Sequence, residues 1–404
     1  MPSTPSVPSP IAGPVLLQSG RTTYELVRPL EHAWHGELLL ARRHFDANTA
    51  DYVVLKRLSR DCREEDYRRL MEEVAINARL RHPSIATMHD LEGSEGDPYL
   101  VLEYVEGNRL DALLELSIQA GKPLSEAFAC YVGAEVADAL HHAHLLTNEQ
   151  GRWMKLVHRN VSLDTIIVGS QGQVKLTDFG AVWSSDPERY PTEDDALPSN
   201  LAYASPEVTR KAQLDGRADQ FSLAAVLLHL LTGRPLIEGT DRLTQELREL
   251  RKRVEEAASL GTGDKAAVAL VVELKGQIRK LTWDFIQEVR AMSVRDVAEA
   301  TRTLSAGLRP ILRRALAPTR TDRYPSCEEF GRELRLHLWR IGQLYGRKEA
   351  EREVTALSKR SRIRGASRAV SAPTATAAHR AAPATSGRRG AAAEGRRKRE
   401  PRSR

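Results

Sequence analysis

Short apolar or alternating runs, separated by turn-forming residues, fill the first part of the chain after residue 23. Runs of this kind predict strands of an antiparallel sheet. They lie at residues 24–30 (YELVRPL), 36–43 (GELLLARR), 51–58 (DYVVLKRL), 85–91 and 99–104. Between the third and fourth runs, residues from about 64 to 80 have an amphipathic helical pattern that ends before His82-Pro83. The pattern therefore predicts five strands, with one helix between the third and the fourth.

Helical periodicity replaces this pattern after Gly107. Residues 112–120 and 125–146 are predicted helices, and more helices are predicted from Asp219 onward. The second helix has one apolar face, formed by Phe128, Val132, Val136 and Leu140. This order indicates an α+β protein in which a small antiparallel-sheet lobe precedes a larger, mainly helical lobe.

The segment 237–307 has an apolar repeat of its own. A four-three-four spacing links Leu243, Leu247, Leu250 and Val254. After a Gly261-Thr262-Gly263 break, the same spacing recurs at Val271, Leu274, Ile278, Leu281 and Phe285. The two runs predict an antiparallel helical hairpin inserted in the helical lobe. Two roles stay open, because the hairpin either packs on its own domain or offers a face on which a partner docks.

Composition agrees with a globular body. The chain has 404 residues, of which 41% are apolar, enough to bury a sizeable core. Its three cysteines are far apart, which favours reduced thiols over disulfides or a zinc site. The longest strongly apolar run, residues 266–272, is well short of the roughly 18 residues that a membrane span needs, so no transmembrane segment is predicted. We therefore expect a cytoplasmic protein without an export signal.

Charge is concentrated at the C-terminal end. Residues 359–404 contain 14 Lys/Arg and 2 Asp/Glu, net +12; since the whole chain is +6, residues 1–358 carry −6. This segment has no aromatic residue and is predicted to be a disordered basic tail. Its targets stay open: nucleic acid, an anionic membrane surface, an acidic protein, or none that is specific. The Pro/Ser-rich residues 1–22 are also predicted to be disordered.

Two motifs carry the chemistry: LVHRNVSLDTIIV at residues 156–168 and LTDFG at residues 176–180. Their spacing resembles the catalytic loop and the metal-binding loop of protein kinases. Over residues 24–338 the chain resembles the bacterial, eukaryotic-like serine/threonine kinases. The resemblance implies a two-lobed kinase fold, with an N-lobe at 23–104, a C-lobe at 105–340 and a charged helix at 341–358.

The resemblance also implies site residues. Lys56 matches the strand lysine that contacts nucleotide phosphates, and Glu73, nine residues before His82-Pro83, matches its helical partner. Asp178 matches the magnesium ligand. Adenine would bind along the hinge at Glu103 to Val105, under a phosphate-covering loop that retains Gly36. Structural roles fall to His158, Arg159, Phe179, Gly180, Glu207, Asp219 and Arg323. ATP and Mg²⁺ are the implied ligands.

The sequence departs from the family pattern at the positions that carry out catalysis and bind metal and phosphate. The position of the catalytic aspartate holds Asn160, whose amide cannot accept a proton at neutral pH, and the position of a second metal ligand holds Thr165. The glycine-rich pattern becomes Glu31-x-Ala33-x-x-Gly36, which adds a carboxylate and removes two glycines. Asp164 is an alternative source of a metal-binding carboxylate, although the family does not use that position.

These departures predict a catalytically impaired pseudokinase that acts as a signalling scaffold, or as a switch controlled by nucleotide or partner. The alternative is a weakly active, ATP-dependent serine/threonine kinase. Losing a general base typically costs about 10²- to 10⁴-fold in rate. The expected partners are signalling proteins, contacted through residues 237–307. Candidate phosphate acceptors are Ser184, Ser185, Thr192 and Ser199.

Overall fold

The computed structural model describes residues 13–33, 36–45, 49–58, 64–94, 97–184, 201–210, 214–259 and 265–370. Its N-terminal lobe is a six-stranded antiparallel sheet in the order β1-β2-β3-β4-β6-β5. The elements are β1 (Val15–Ser19), β2 (Thr22–Ala33), β3 (Gly36–His44), β4 (Ala50–Leu58), α1 (Glu64–Asn77), β5 (Met88–Ser94) and β6 (Asp97–Glu103). Alternation along the strands buries Tyr24, Leu55 and Val101 together in one apolar cluster of this sheet.

The first strand corrects the sequence-based expectation for residues 1–22. Val15–Ser19 is not disordered but pairs antiparallel with β2, so the sheet has six strands instead of five. A five-residue strand next to a Pro/Ser-rich segment has a weak sequence signal, and its pairing partner provides the missing stabilisation. Residues 1–12 lie outside the described part of the chain.

The C-terminal lobe is mainly helical, as predicted. It begins with β7 (Gly107–Arg109), α2 (Leu110–Ala120) and α3 (Glu126–His144), and a three-stranded sheet joins β7 to β8 (Ile166–Gly169) and β9 (Val174–Leu176). The helices that follow are α4 (Pro206–Thr209), α5 (Arg217–Thr232), α6 (Thr240–Ser259), α7 (Lys265–Ala291), α8 (Val294–Ala300), α9 (Leu308–Ala315), α10 (Cys327–Arg340) and α11 (Arg347–Val370). Helices α3 and α5 are nearly enclosed and form the centre of the core.

The predicted hairpin is present, with α6 and α7 packed against each other. Their inner residues, including Leu247 and Phe285, join a cluster with Val157 and Leu201 on the helical lobe. The hairpin therefore packs on its own domain through this inner face. The Gly261-Thr262-Gly263 break lies outside the described residues.

The C-terminal end differs from the expectation in two ways. The predicted charged helix at 341–358 starts later, at Arg347, and α11 runs on to Val370, so residues 359–370 are not the disordered tail that the composition predicted. Moreover, Ala350, Val354 and Leu357 are buried in the main core, where α11 packs against α2 and α3. The helical lobe thus extends beyond residue 340. Residues 371–404 lie outside the described part.

Cys130 and Cys327 are buried free thiols, and burial raises the pKa of Cys130 to about 12. Cys62 lies outside the described residues. Within the described ranges, no helix combines the length and the apolar character that crossing a membrane requires.

Candidate active site

A buried ion pair joins the sheet to its helix. Lys56 on β4 donates to both carboxylate oxygens of Glu73 on α1, at 2.8 and 2.6 Å. Burial alone would lower the pKa of Lys56, but the carboxylates of Glu73 and Asp178 outweigh burial and raise it. Burial raises the pKa of Glu73, against the attraction of Lys56. The structure therefore brings together the two residues predicted to position nucleotide phosphates.

The segment Asp178 to Gly180 lies directly against this pair. The Phe179 ring meets the His158 ring edge-on, with centroids 4.5 Å apart, and is buried. A Cβ atom on Gly180 would lie 2.8 Å from Glu73 Oε2 and 2.9 Å from Lys56 Nζ. Even a methyl group at position 180 would therefore push against the ion pair.

Asn160 contacts the predicted metal ligand itself. Its side-chain Nδ2 donates a hydrogen bond to Asp178 Oδ2 at 2.6 Å. A carboxylate at position 160 would repel Asp178 unless a cation or a proton lay between them. The amide instead satisfies Asp178 with a neutral donor, so one oxygen of the only matched metal ligand is already engaged.

Thr165 does not replace the missing metal ligand. Its hydroxyl is buried, donates to the Asn160 carbonyl at 2.9 Å and accepts from the Ser162 amide at 3.0 Å. The neighbouring Asp164 accepts from the Ser162 hydroxyl at 2.6 Å, inside the same turn. Position 165 therefore stabilises the loop, and the residues present fit a magnesium ion only through Asp178. A bound Mg²⁺ would neutralise phosphate charge.

Asp219 on α5 holds the backbone of the loop that contains His158 and Arg159. Its fully buried carboxylate accepts from the amides of His158 at 2.7 Å and Arg159 at 2.9 Å, and from His144 Nε2 at 2.8 Å. Burial would raise the pKa of Asp219, but the hydrogen bond and charge of His144, together with His158 and the Arg159 amide, lower it. Arg159 has φ of 64°, a conformation that costs energy for a non-glycine residue and that these bonds stabilise.

Burial lowers the pKa of His158, which favours the neutral form of the imidazole. Its Nδ1 accepts from the Asn160 amide at 3.2 Å, which leaves the proton on Nε2 to donate to the Thr177 carbonyl at 3.1 Å. The imidazole thus connects the two loops.

At the hinge, the structure shows an ion pair between Glu103 and Lys175 that the sequence did not predict. The Glu103 carboxylate accepts from Lys175 Nζ and from the Thr87 amide, both at 2.9 Å, so it ties β6 to β9. Val105 is buried beside it. Adenine binding by the backbone of this segment stays a prediction. Lys175 had no sequence signal, because its partner lies 72 residues away.

The predicted phosphate-covering loop lies where strands β2 and β3 meet. Strands β2 and β3 pair as far as Ala33 opposite Gly36, which leaves only residues 34–35, outside the described part, between them. Backbone amides that pair in a sheet are not free to approach phosphates. The degenerate glycine pattern is therefore accompanied by strand pairing up to Ala33 and Gly36.

Two more predicted residues meet far from the cleft. Arg323 donates to both oxygens of Glu207, at 2.6 and 2.9 Å, and its side chain is fully buried. The same guanidinium donates to the carbonyls of Arg217 and Ala317 at 2.8 Å. This network anchors α4 to the helical lobe. Ser184 donates to the Met154 carbonyl at 2.6 Å. Ser185, Thr192 and Ser199 lie outside the described residues.

A sheet lobe, a helical lobe and a cleft with a lysine–glutamate pair above two meeting loops define a protein of the kinase class. Residues 35–328 match the family model for the protein kinase domain, and the chain belongs to this family.

Several bacterial kinases are similar in sequence. The tyrosine-protein kinase MasK of Myxococcus xanthus is 30% identical over 57% of this chain and 36% of its own length. The serine/threonine-protein kinase PknF of Mycobacterium tuberculosis is 32% identical over 52% of this chain and 43% of its own length. The chain thus spans less than half the length of these curated relatives. The crystal structure of the M. tuberculosis PknI kinase domain covers 78% of this chain and 96% of its own, with 24% identity and a TM-score of 0.49.

Proposed function

We propose that this protein is a pseudokinase: a kinase-fold protein that transfers phosphate at most in traces and works as a signalling scaffold or switch. The observation that carries the proposal is the hydrogen bond from Asn160 Nδ2 to Asp178 Oδ2 at 2.6 Å. It replaces a general base by an amide donor, and it engages the metal ligand at the same time. Loss of the general base and loss of the second metal ligand affect the same transition state. Together they should lower the rate further than either alone, although the two effects on the activation free energy are not additive.

The cleft keeps what is needed for a conformational response. Lys56 and Glu73 are paired, and the Phe179 ring is inserted against His158. A nucleotide that binds to this arrangement better than to an open one would shift the population of lobe arrangements. Lys56 would then contact phosphates and the hinge backbone would bind adenine, as the family resemblance implies.

The ion pair also supports a second candidate, a weakly active serine/threonine kinase. Lys56, Glu73 and Asp178 lie together as phosphoryl transfer requires, and positioning alone contributes to rate. This candidate predicts slow transfer of the ATP γ-phosphate to protein hydroxyls. It requires Asp178 to exchange the Asn160 amide for a cation.

The decisive experiment is a calorimetric titration of the full chain with ATP, in excess EDTA and again in excess Mg²⁺. The pseudokinase switch predicts binding that Mg²⁺ changes little and that Lys56→Ala abolishes, with no phosphate transfer in a radiolabel assay. Magnesium-dependent binding with transfer that Lys56→Ala removes would establish the weak kinase instead. No binding at millimolar ATP would exclude the nucleotide switch and leave a scaffold.

We also propose that partners are signalling proteins in the cytoplasm, bound through the helical hairpin or through the basic residues after 358. The net +12 charge of residues 359–404 supports an acidic protein, a nucleic acid or an anionic membrane as the tail's target. Truncation after Ser358 tests the tail: salt-sensitive binding that survives truncation would exclude it.

A further inference from the structure

Helix α7 has an outer face that its own chain leaves exposed. Its inner face, with Leu274, Phe285 and Val289, is buried against α6 and the helical lobe. On the opposite side Val272 is 67% exposed and Trp283 is 56% exposed. Arg290 stacks over the Trp283 ring at 5.6 Å and donates to the Thr209 carbonyl, so the indole is held in place. A surface helix normally presents polar residues on such a face.

Gly276 lies at the centre of this outer face, in the middle of a 27-residue helix. Glycine is less favourable than alanine in a helix interior, because its backbone loses more freedom on folding. Nevertheless, among the described residues a Cβ atom on Gly276 would meet nothing within 4 Å. The packing of the described part of the chain therefore gives no reason for glycine here, whereas a second helix backbone crossing at this point would.

The sequence on either side of Gly276 is complementary to itself. Each helical residue turns about 100°, so Ala269, Val272, Glu273, Arg279, Lys280 and Trp283 all lie within roughly 60° of Gly276 on one face. All six are exposed. If two copies of α7 cross antiparallel with the two-fold axis at Gly276, a residue a given number of positions before it faces the residue that number after it.

This symmetry pairs opposite charges and opposite sizes. Glu273 and Arg279 each lie three positions from Gly276, so each carboxylate faces the partner copy's guanidinium, twice per dimer. Ala269 and Trp283 each lie seven positions away, so the large indole faces a small side chain. Val272 faces Lys280, whose aliphatic stem can cover it.

We propose that the outer face of α7 binds a second copy of this chain, as an antiparallel helix pair centred on Gly276. The surface lies outside the nucleotide cleft, so the inference is independent of nucleotide binding and goes beyond the proposed pseudokinase role. It assigns the exposed half of the hairpin to self-association, while the inner half packs on the domain.

Sedimentation equilibrium of the full chain, over a micromolar concentration series, tests the proposal. Wild type should show a monomer–dimer equilibrium. Gly276→Leu should abolish the dimer, because a side chain would separate the backbones at the crossing. Glu273→Arg should weaken association by roughly tenfold or more, since two like-charge contacts replace two opposite ones. Arg279→Glu should do the same.

The double variant Glu273→Arg/Arg279→Glu is the matched control, because it restores opposite charges in exchanged positions. It should recover wild-type association to within a few-fold. All of these positions are exposed, so no variant should unfold at a markedly lower temperature than wild type, and this measurement separates lost association from lost folding. A wild type that is monomeric throughout, a dimer indifferent to Gly276→Leu, or a double variant no better than the single ones would each overturn the proposal.

Discussion

Glu353, on the last described helix, accepts hydrogen bonds from both the backbone amide and the hydroxyl of Ser125, each at 2.7 Å. Ser125 is the N-cap of α3, where its hydroxyl also accepts from the Phe128 amide. The Tyr345 hydroxyl donates to the same carboxylate at 2.7 Å, and burial together with this contact raises the pKa of Tyr345. The C-terminal helix is thus bound to the start of the central core helix by a charged hydrogen-bond network.

Replacing Glu353 tests whether α11 is an integral part of the domain. Glu353→Ala removes the acceptor for three donors, so we expect the free energy of unfolding to fall by about 2 kcal/mol. Chemical denaturation measures this change. Glu351→Ala, exposed on the same helix, is the control and should change stability by less than about 0.5 kcal/mol. Equal stabilities for the two variants would contradict the structural role of this network.

The sequence predicted the two-lobed architecture because the strand and helix periods and the order of the loop motifs agree with each other. It missed β1, whose five residues are a strand only by pairing with β2. It also missed the docking of α11. Ala350, Val354 and Leu357 have helical spacing, but they lie among so many charged residues that composition outweighed the pattern.

Within the candidate site, sequence reasoning identified most positions but few of their contacts. Motif spacing places Lys56, Glu73 and Asp178, and the structure brings them together. The hydrogen bond from Asn160 to Asp178 was not predictable, because it depends on how two loops approach in space. The same holds for the contact between Glu103 and Lys175. Nucleotide-binding roles for these residues stay predictions.

A carboxylate at position 160 should lower the stability of the protein and make that stability depend on cations. Asn160→Asp loses the donor to Asp178 and places two negative charges in contact, so without cations we expect stability to fall by about 2 kcal/mol. Added Mg²⁺ should then raise the thermal midpoint of the variant more than that of wild type. Differential scanning fluorimetry, with and without Mg²⁺, measures both effects.

Asn160→Ala is the matched control for that experiment. It removes the same hydrogen bond without adding charge, so its stability should fall but its midpoint should not respond to Mg²⁺ more than wild type does. A wild-type protein that responds to Mg²⁺ as strongly as Asn160→Asp would contradict the idea that the amide has replaced a cation-dependent arrangement.

Thr165 should act through the backbone of the loop and not through a metal. Thr165→Val keeps the shape but leaves the Asn160 carbonyl and the Ser162 amide without their partner, so we expect a loss of roughly 1–3 kcal/mol in denaturation experiments. Thr165→Ser retains the hydroxyl and loses only a methyl group, so it should cost less. If serine were the more damaging substitution, the hydroxyl would not be the stabilising group.

The charge on Asp219 should make its contribution depend on pH. Its pKa in the folded protein lies below the ordinary value of 3.8, since hydrogen bonds outweigh the opposing effect of burial. Its stabilisation is therefore fully present above about pH 4 and is lost as pH falls through the folded-state pKa.

Asp219→Asn removes the charge at every pH and presents an amide donor to backbone amides. Hence we expect a loss of at least about 3 kcal/mol at pH 7. The difference in the free energy of unfolding between wild type and Asp219→Asn should become smaller below pH 4. Asp284→Asn, exposed on α7, is the control and should leave stability almost unchanged across this range. A gap that stays constant from neutral to acidic pH would mean that the shape of the side chain, and not its charge, holds the loop in place.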